Sequence, residues 1–121
     1  MMKPHRIMIV DDSPIDLQHL KEIVSDAGYQ VITAMNGQDA YDKAKTYKPD
    51  VILMDVVMDG MDGFEACRNI TGDKDLASIP VVFVTSKNQR ADRVWGELQG
   101  GKAMISKPYT QDQILDTIAS L

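Results

Sequence analysis

The stretch that decides the fold is "IMIVDDSP", residues 7–14, in which four apolar residues run directly into two adjacent aspartates. A short, continuous, β-branched apolar run is typical of a strand that is buried on both faces. Asp12 or Ser13 can cap a following helix, and Pro14 suits the first turn of that helix. The stretch therefore predicts a buried strand that turns sharply into a helix, with two carboxylates at the turn.

The same pattern of apolar run and helical segment is found along the rest of the chain. Further apolar runs lie at residues 31–34, 51–54, 81–84 and 103–105, and each is followed by a segment with helical spacing of apolar residues. Gly28 suits the end of the first helix, and Thr110 with Gln113 forms a capping box for the last one. Alternating strands and helices predict an α/β fold with a parallel sheet covered on both faces. We expect a single domain, residues 1–121.

The fourth helical segment carries its own apolar stripe, which includes Ala91, Val94, Trp95 and Leu98. Such a stripe is expected to face the core, so core contact is the first interpretation of Trp95. A tryptophan on a short helix can also anchor a partner protein. Cys67 lies on the apolar stripe of the third segment and is expected to be a buried small residue.

Composition and charge exclude several classes of protein. The chain has 121 residues, of which 44% are hydrophobic and 26% charged, as in ordinary globular domains. The net charge is -5 and the basic residues are scattered, so nucleic acid is not an expected direct partner. One cysteine cannot form an internal disulfide, and the N-terminal segment has no apolar stretch long enough for a signal peptide or membrane span. We therefore expect a cytoplasmic protein that does not bind membranes.

Polar residues follow four of the five predicted strands. They are Asp11 and Asp12 after the first strand, Asp55 after the third, Thr85 and Ser86 after the fourth, and Lys107 and Pro108 after the fifth. In open α/β sheets, ligands bind beyond the carboxyl ends of the strands. The second strand has no comparable group, which is expected if it lies at the outer edge of the sheet. Four polar strand ends therefore predict one functional site at this edge.

Each of these residues has an ordinary explanation when it is taken alone, since Asp12 can be a helix cap and Lys107 a surface charge. Three carboxylates in one pocket, however, repel each other by about 4 kcal/mol per close pair, and a divalent cation would relieve this repulsion. Oxygen ligands favour Mg²⁺, with Mn²⁺ as an alternative. Beside such an ion, Asp55 can attack phosphorus, while Lys107 neutralises charge and Thr85 donates a hydrogen bond. The pattern predicts an aspartyl phosphate at Asp55.

These residues resemble the receiver domain of bacterial response regulators. The matching pieces are "IMIVDDSP" (7–14), "DVILMDVVMDGMDGFEACR" (50–68), "IPVVFVTSK" (79–87) and "MISKPY" (104–109), which together extend over essentially the whole chain. The resemblance, rather than the periodicity, implies a flavodoxin-like sheet with strand order 2-1-3-4-5.

The resemblance also implies a role for each matching residue at the metal. Asp55 corresponds to the phosphoacceptor and Asp12 to a direct Mg²⁺ ligand. Asp11 corresponds to an acidic partner that acts through water, and the backbone carbonyl of Val57 to a further ligand. The aspartate pair at the start of the chain would therefore serve to hold the metal ion.

A second group of residues corresponds to the phosphoryl-sensing part of the family site. Thr85 matches the switch hydroxyl, and Lys107 matches the phosphate-contacting lysine. The family places a cis peptide bond between this lysine and the following proline, here Pro108, which aims the lysine at the site.

The implied function is signalling rather than enzymatic turnover. A sensor histidine kinase would phosphorylate Asp55, and the domain would then change its affinity for a protein target through the fourth helix, fifth strand and fifth helix. Phosphoryl transfer and dephosphorylation would be self-catalysed. The segment "TSKNQRADRVWGELQGGKAMISKPY" (85–109) is similar to receivers of chemosensory systems that control twitching motility by type IV pili.

The sequence departs from the family pattern at three positions. Asp59 replaces a proline in the loop after Asp55, and Met104 replaces an aromatic residue that reports activation. Lys87 lies where the family adjusts the access of water to the phosphoryl group.

Three alternatives to this function remain open. The first is a phosphatase of the haloacid-dehalogenase type, whose Asp-x-Asp motif is not seen. The others are an adaptor that works without phosphorylation and a receiver cut from a longer regulator.

Overall fold

The computed structural model describes residues 4–121, which form five strands and five helices in strict alternation. Their bounds are β1 Arg6–Val10, α1 Pro14–Asp26, β2 Gln30–Ala34, α2 Gly37–Tyr47, β3 Val51–Met54, α3 Gly63–Thr71, β4 Val81–Thr85, α4 Arg90–Leu98, β5 Ala103–Ser106 and α5 Gln111–Ala119. Each strand bound lies within one residue of the prediction. The expected domain, 1–121, also includes residues 1–3, which lie outside the described residues.

The five strands form one parallel sheet in the order β2-β1-β3-β4-β5. Met8 of β1 is paired with Ile32 of β2 on one side and with Ile52 of β3 on the other. This architecture confirms the predicted α/β class and the strand order that the family resemblance implied. β2 is an edge strand, in agreement with the absence of a polar group at its end.

Successive residues of a strand point to opposite faces of the sheet and belong to two separate cores, one on each face. Met8 and Val10 belong to the core beneath α2 and α3, whereas Ile7 and Ile9 belong to the core beneath α1 and α5. All four side chains are at most 1% exposed. Burial on both faces explains why the strands read as continuous apolar runs rather than as an alternating pattern.

Local capping interactions begin the helices where the sequence predicts. Ser13 accepts a hydrogen bond from the backbone of Asp16 at the start of α1, so Ser13 rather than Asp12 is the cap. Thr110 and Gln113 form the predicted capping box of α5. Gly28, after α1, has a φ of 97°, a conformation that glycine adopts without strain. Within residues 4–121, no helix is both long and apolar enough to cross a membrane.

Helix α4 differs from the prediction because its large apolar side chains face outward. Val94, Trp95 and Leu98 are 51%, 50% and 70% exposed. The helix instead packs through Gly96, where an added Cβ would lie only 3.0 Å from the ring of Phe83 and 3.2 Å from that of Phe64. These two rings fill the space beneath the helix, so the interpretation of Trp95 as a core residue is wrong.

Candidate functional site

The carboxyl ends of β1, β3 and β5 bring two carboxylates and one ammonium group together. Lys107 follows β5, and its Nζ donates to Oδ2 of Asp11 at 2.9 Å and to Oδ2 of Asp55 at 3.1 Å. Asp11 follows β1 and Asp55 follows the neighbouring β3, while Lys107 reaches them from β5, on the far side of β4. All three groups lie at one edge because the strands are parallel. The structure thus assembles three of the residues that the sequence singled out.

Burial sets the electrostatics of this cluster. The side chains of Asp11 and Asp55 are only 5% and 12% exposed. Burial raises the pKa of Asp11, although the hydrogen bond from Lys107 opposes the change. Burial would lower the pKa of Lys107, but hydrogen bonds to Asp11 and Asp16 and the charge of Asp55 raise it overall. Lys107 is therefore a permanent positive charge between buried carboxylates.

Asp12 lies at the rim of the cluster and contacts the loop that follows β3. Its Oδ2 accepts a hydrogen bond from the backbone N–H of Asp59 at 3.2 Å. Val57, in the same loop, has a side chain that is 60% exposed. Within residues 4–121, no three His, Cys, Asp or Glu side chains are grouped closely enough to hold a metal ion by themselves. Asp11 and Asp55 meet at Lys107, whereas Asp12 makes a separate contact.

Thr85 ends β4 and is fully buried beside the end of β5. Its Oγ1 accepts a hydrogen bond from the backbone N–H of Lys87 at 3.1 Å, and its carbonyl accepts one from the backbone N–H of Lys107 at 3.0 Å. The ammonium of Lys87 pairs with Asp92 at 3.2 Å, on the first turn of α4. The loop after Thr85 therefore links the site to α4.

The segment after Lys107 is held against α1. The peptide bond between Lys107 and Pro108 is cis, as the family resemblance implied. Tyr109 stacks on His19, with ring centroids 5.5 Å apart, and its hydroxyl lies 3.1 Å from Nδ1 of that histidine. His19 is exposed, and the contact with Tyr109 ties this segment to α1.

Sequence reasoning missed one residue of the cluster, Asp16. Its Oδ2 accepts a hydrogen bond from Nζ of Lys107 at 3.0 Å, which makes it the third carboxylate on this ammonium. The sequence contained a usable signal, because an acidic residue in the first turn of the helix after β1 lies near the same edge of the sheet. Asp16 lies outside all four stretches that match the family.

Cys67 takes no part in the site. It is fully buried, and burial raises the pKa of its thiol to about 12, so it stays protonated at neutral pH. Its Sγ donates to the carbonyl of Gln99 at 3.4 Å, which ties α3 to the end of α4. The prediction of a buried small residue is confirmed.

Comparison with known proteins gives the family. Residues 7–119 match the sequence profile of the response regulator receiver domain. The chain is 45% identical to the protein PilH of Pseudomonas aeruginosa, and the match extends over 93% of each chain. It is 30% identical to the chemotaxis protein CheY4 of Vibrio cholerae, with a TM-score of 0.90 over 95% of this chain and 96% of that one.

A further solved structure is the CheX-CheY-BeF3-Mg+2 complex from Borrelia burgdorferi, which is 26% identical with a TM-score of 0.90. That match covers 98% of this chain and 89% of the other. The profile match and the similarity to PilH both extend over nearly all of the chain and include each strand end that builds the cluster. The chain therefore belongs to the response regulator receiver domain family of two-component signalling.

Proposed function

We propose that Asp55 accepts a phosphoryl group from a histidine kinase and that the modified domain changes its affinity for a protein target. One observation carries this proposal: a single lysine ammonium lies within hydrogen-bond distance of both Asp11 and Asp55 at the carboxyl edge of the sheet. The cluster therefore holds a nucleophilic carboxylate beside a permanent positive charge, which is the arrangement that phosphoryl transfer needs.

The donor set fits Mg²⁺, with Mn²⁺ as an alternative. All the candidate ligands are oxygens, and the two most buried carboxylates already converge on a cation, the ammonium of Lys107. Asp11, Asp12, Asp55 and the carbonyl of Val57 would hold the metal ion. When bound, it would neutralise charge on the phosphoryl oxygens.

The chain's own residues carry the transfer itself. A carboxylate oxygen of Asp55 attacks phosphorus, an O–P bond forms, and the N–P bond to the imidazole of the kinase breaks. The imidazole leaves with its electron pair and takes up a proton. Lys107 donates to a phosphoryl oxygen, so the negative charge that has moved onto this chain is partly neutralised. Attack by water on the phosphorus later restores the carboxylate and releases inorganic phosphate.

The signal would leave the site through Thr85. We infer that the hydroxyl of Thr85 loses the hydrogen bond that it accepts from the backbone N–H of Lys87 and donates instead to a phosphoryl oxygen. This exchange would rearrange the loop that leads into α4. Arg93 of α4 in turn donates to the carbonyl of Met104 at 3.3 Å and to Oγ of Ser106 at 3.0 Å, both on β5. The target surface would be formed by α4, β5 and α5, where Trp95 is half exposed.

The similarity to PilH supports a role in the chemosensory control of twitching motility, as the 85–109 segment suggested. In this proposal residues 1–121 act as one receiver domain in the cytoplasm, without contact with nucleic acid or membrane. The target is a protein, since the exposed apolar residues of α4 offer it a contact surface.

The test is chemical phosphorylation followed by intact mass measurement. We expect one added phosphoryl group after incubation with Mg²⁺ and acetyl phosphate, and a much smaller yield when a chelator removes the metal. The Asp55→Asn variant should gain no mass, because an amide cannot form the acyl phosphate.

The matched control is Asp26→Asn, which removes a carboxylate from the end of α1, while the site adjoins the start of that helix. This variant should be phosphorylated like the wild type. Mass gain that persists in Asp55→Asn would place the acceptor elsewhere, and a wild-type chain that gains no mass would refute the proposal.

A further inference from the structure

One of the carboxylates that bind the ammonium of Lys107 belongs to none of the family motifs. Asp16 lies in the first turn of α1, and its Oδ2 accepts a hydrogen bond from the ammonium of Lys107 at 3.0 Å. The side chain of Asp16 is 48% exposed, whereas that of Asp11, the most buried partner, is 5% exposed. Asp16 therefore approaches the lysine from the solvent side of the cluster.

An ammonium group has three N–H donors, and Lys107 has three carboxylate partners, Asp11, Asp16 and Asp55. Under the proposed function, on which this inference rests, two of these partners would change during phosphorylation: Asp55 would become an acyl phosphate, and Asp11 would be one of the residues that hold the metal ion. We propose that Asp16 is a positioning residue that anchors the ammonium of Lys107 so that its other donors reach the phosphoryl group on Asp55. Asp16 itself does not touch the reacting atoms.

A second contact between α1 and the same segment supports this role. His19, one helical turn after Asp16, stacks on Tyr109, and the two rings are inclined by only 16°. The Tyr109 hydroxyl lies 3.1 Å from Nδ1 of His19. The backbone around Lys107 is thus already held against α1, and the ion pair with Asp16 orients the long lysine side chain rather than the segment.

The competing explanation is that Asp16 serves only its helix, because a carboxylate in the first turn interacts favourably with the helix dipole. Asp39 in α2 allows the helix-dipole explanation to be distinguished from the positioning role. The backbone N–H of each aspartate donates to the cap residue three positions earlier, Ser13 or Asn36. Asp39 is 39% exposed and also pairs with a lysine, Lys43, but that lysine lies on its own helix. Asp39→Asn is therefore a matched control.

A second effect opposes the proposal, because the negative charge of Asp16 also repels an incoming phosphoryl group. Asp16 is half exposed, so water and salt screen this long-range repulsion. The direct contact with Lys107, at 3.0 Å, is screened less. An amide oxygen can still accept from Lys107, but without the charge the contact is weaker. We therefore expect that weakening of the anchor outweighs relief of the repulsion, and that neutralising Asp16 slows phosphorylation.

The experiment compares the full wild-type chain with Asp16→Asn, Asp16→Glu and Asp39→Asn. The rate of phosphorylation by acetyl phosphate with Mg²⁺ is followed by intact mass. The free energy of an exposed ion pair of this kind corresponds to a change of about two- to fivefold in a rate constant. The phosphorylation rate should therefore fall by that factor in Asp16→Asn. Asp16→Glu should restore most of the rate, and Asp39→Asn should match the wild type.

A direct measurement of the mobility of the Lys107 side chain completes the test. Nitrogen-15 NMR of the Lys107 ammonium should show a lower order parameter in Asp16→Asn than in the wild type and in Asp39→Asn. An unchanged or faster rate in Asp16→Asn, or an equal loss in Asp39→Asn, would overturn the inference and leave the proposed function intact. If the wild type is not phosphorylated at all, the proposed function fails and this inference fails with it.

Discussion

Replacing Asp11 by asparagine should make the metal-free protein more stable, although it removes an ion pair. Asp11 is 4% exposed and shares the ammonium of Lys107 with two other carboxylates. Lys107 donates to Oδ2 of Asp11 and the backbone N–H of Ser13 donates to Oδ1, each at 2.9 Å. Asparagine has the same shape but only one oxygen, so it can keep one of these two contacts. The substitution therefore changes charge far more than packing.

The pairwise charge interactions of Asp11 nearly cancel. Its attraction to Lys107 at 2.9 Å amounts to about 6 kcal/mol at an effective dielectric constant near 20. Because Asp16 and Asp55 bind the same nitrogen, their oxygens lie no more than about 6 Å from that of Asp11, and each repels it by at least about 3 kcal/mol. The two repulsions together offset the attraction.

Desolvation then decides the sign. A charge that is almost fully buried loses several kcal/mol of hydration, and an amide loses much less. One hydrogen bond is lost because asparagine has a single oxygen, at a cost of about 1 kcal/mol, and screening of the exposed Asp16 weakens its repulsion. We therefore expect Asp11→Asn to raise the free energy of unfolding by about 1 kcal/mol at neutral pH, less than the full gain in desolvation. With a urea m-value of about 2 kcal/mol per molar, the midpoint rises by about 0.5 M.

The pH dependence follows from the direction of the pKa shift. Burial raises the pKa of Asp11 above its ordinary value of 3.8, so the ionised form is less favourable in the folded chain than in the unfolded chain. The contribution of Asp11 to stability is complete below pH 3.8 and is lost as the pH rises through its folded pKa. The advantage of the variant should therefore appear at neutral pH and disappear in acid.

The assay is urea unfolding with and without Mg²⁺. A metal that binds the folded wild type at 100 times its dissociation constant adds about 2.7 kcal/mol of stability, and the variant should gain much less. The order of stability should therefore reverse when Mg²⁺ is added. Asp26→Asn removes a carboxylate from the last turn of α1, where it opposes the helix dipole, so this control should be slightly more stable than the wild type and should gain the same stability from Mg²⁺ as the wild type does. An Asp11→Asn variant that is less stable than the wild type without metal would refute the reasoning.

Two further predictions concern Gly63, beside Asp55, and Asp73, which follows α3. A methyl group at Gly63 would overlap the backbone carbonyl oxygen of Asp55. Gly63→Ala should therefore lower the free energy of unfolding by about 2 kcal/mol or more and slow phosphorylation. The control is Gly28→Ala, which has open space around the added methyl group and should leave the phosphorylation rate unchanged. The hydrogen bond from Tyr41, at 2.7 Å, together with Lys45, lowers the pKa of Asp73 from 3.8 to about 2. This contribution to stability is present above pH 3.8 and is lost as the pH falls towards 2, so Tyr41→Phe should raise that pKa in a carbon-13 NMR titration and lower the urea midpoint at neutral pH. The exposed Tyr47→Phe is its control, and an unchanged Asp73 pKa would contradict the assignment.

Much of the fold could be predicted because its signals are local. Apolar runs such as 51–54 become strands that are buried on both faces, and Thr110 with Gln113 begins α5 through contacts only a few residues apart. The positions of Asp11, Asp55 and Lys107 could also be predicted, since parallel strands place their carboxyl ends at one edge.

Three features required the tertiary structure. Periodicity alone did not give the strand order, because sheet pairing joins segments that are distant in sequence. The apolar stripe of α4 faces outward because the rings of Phe64 and Phe83 leave room only for Gly96 beneath the helix. Asp12 bonds to the backbone of Asp59, 47 positions away, a contact that depends on how two loops are placed.

The sequence by itself thus determined the elements, their alternation and which strand ends carry charge, since each depends on neighbouring residues. Only the tertiary structure decided which charges share the ammonium of Lys107. Asp16 lies 91 positions from that lysine and is brought to it by the packing of α1 against β1 and α5. A contact of this kind is specified by the whole fold, because no local pattern encodes the distance between two side chains so far apart in the chain.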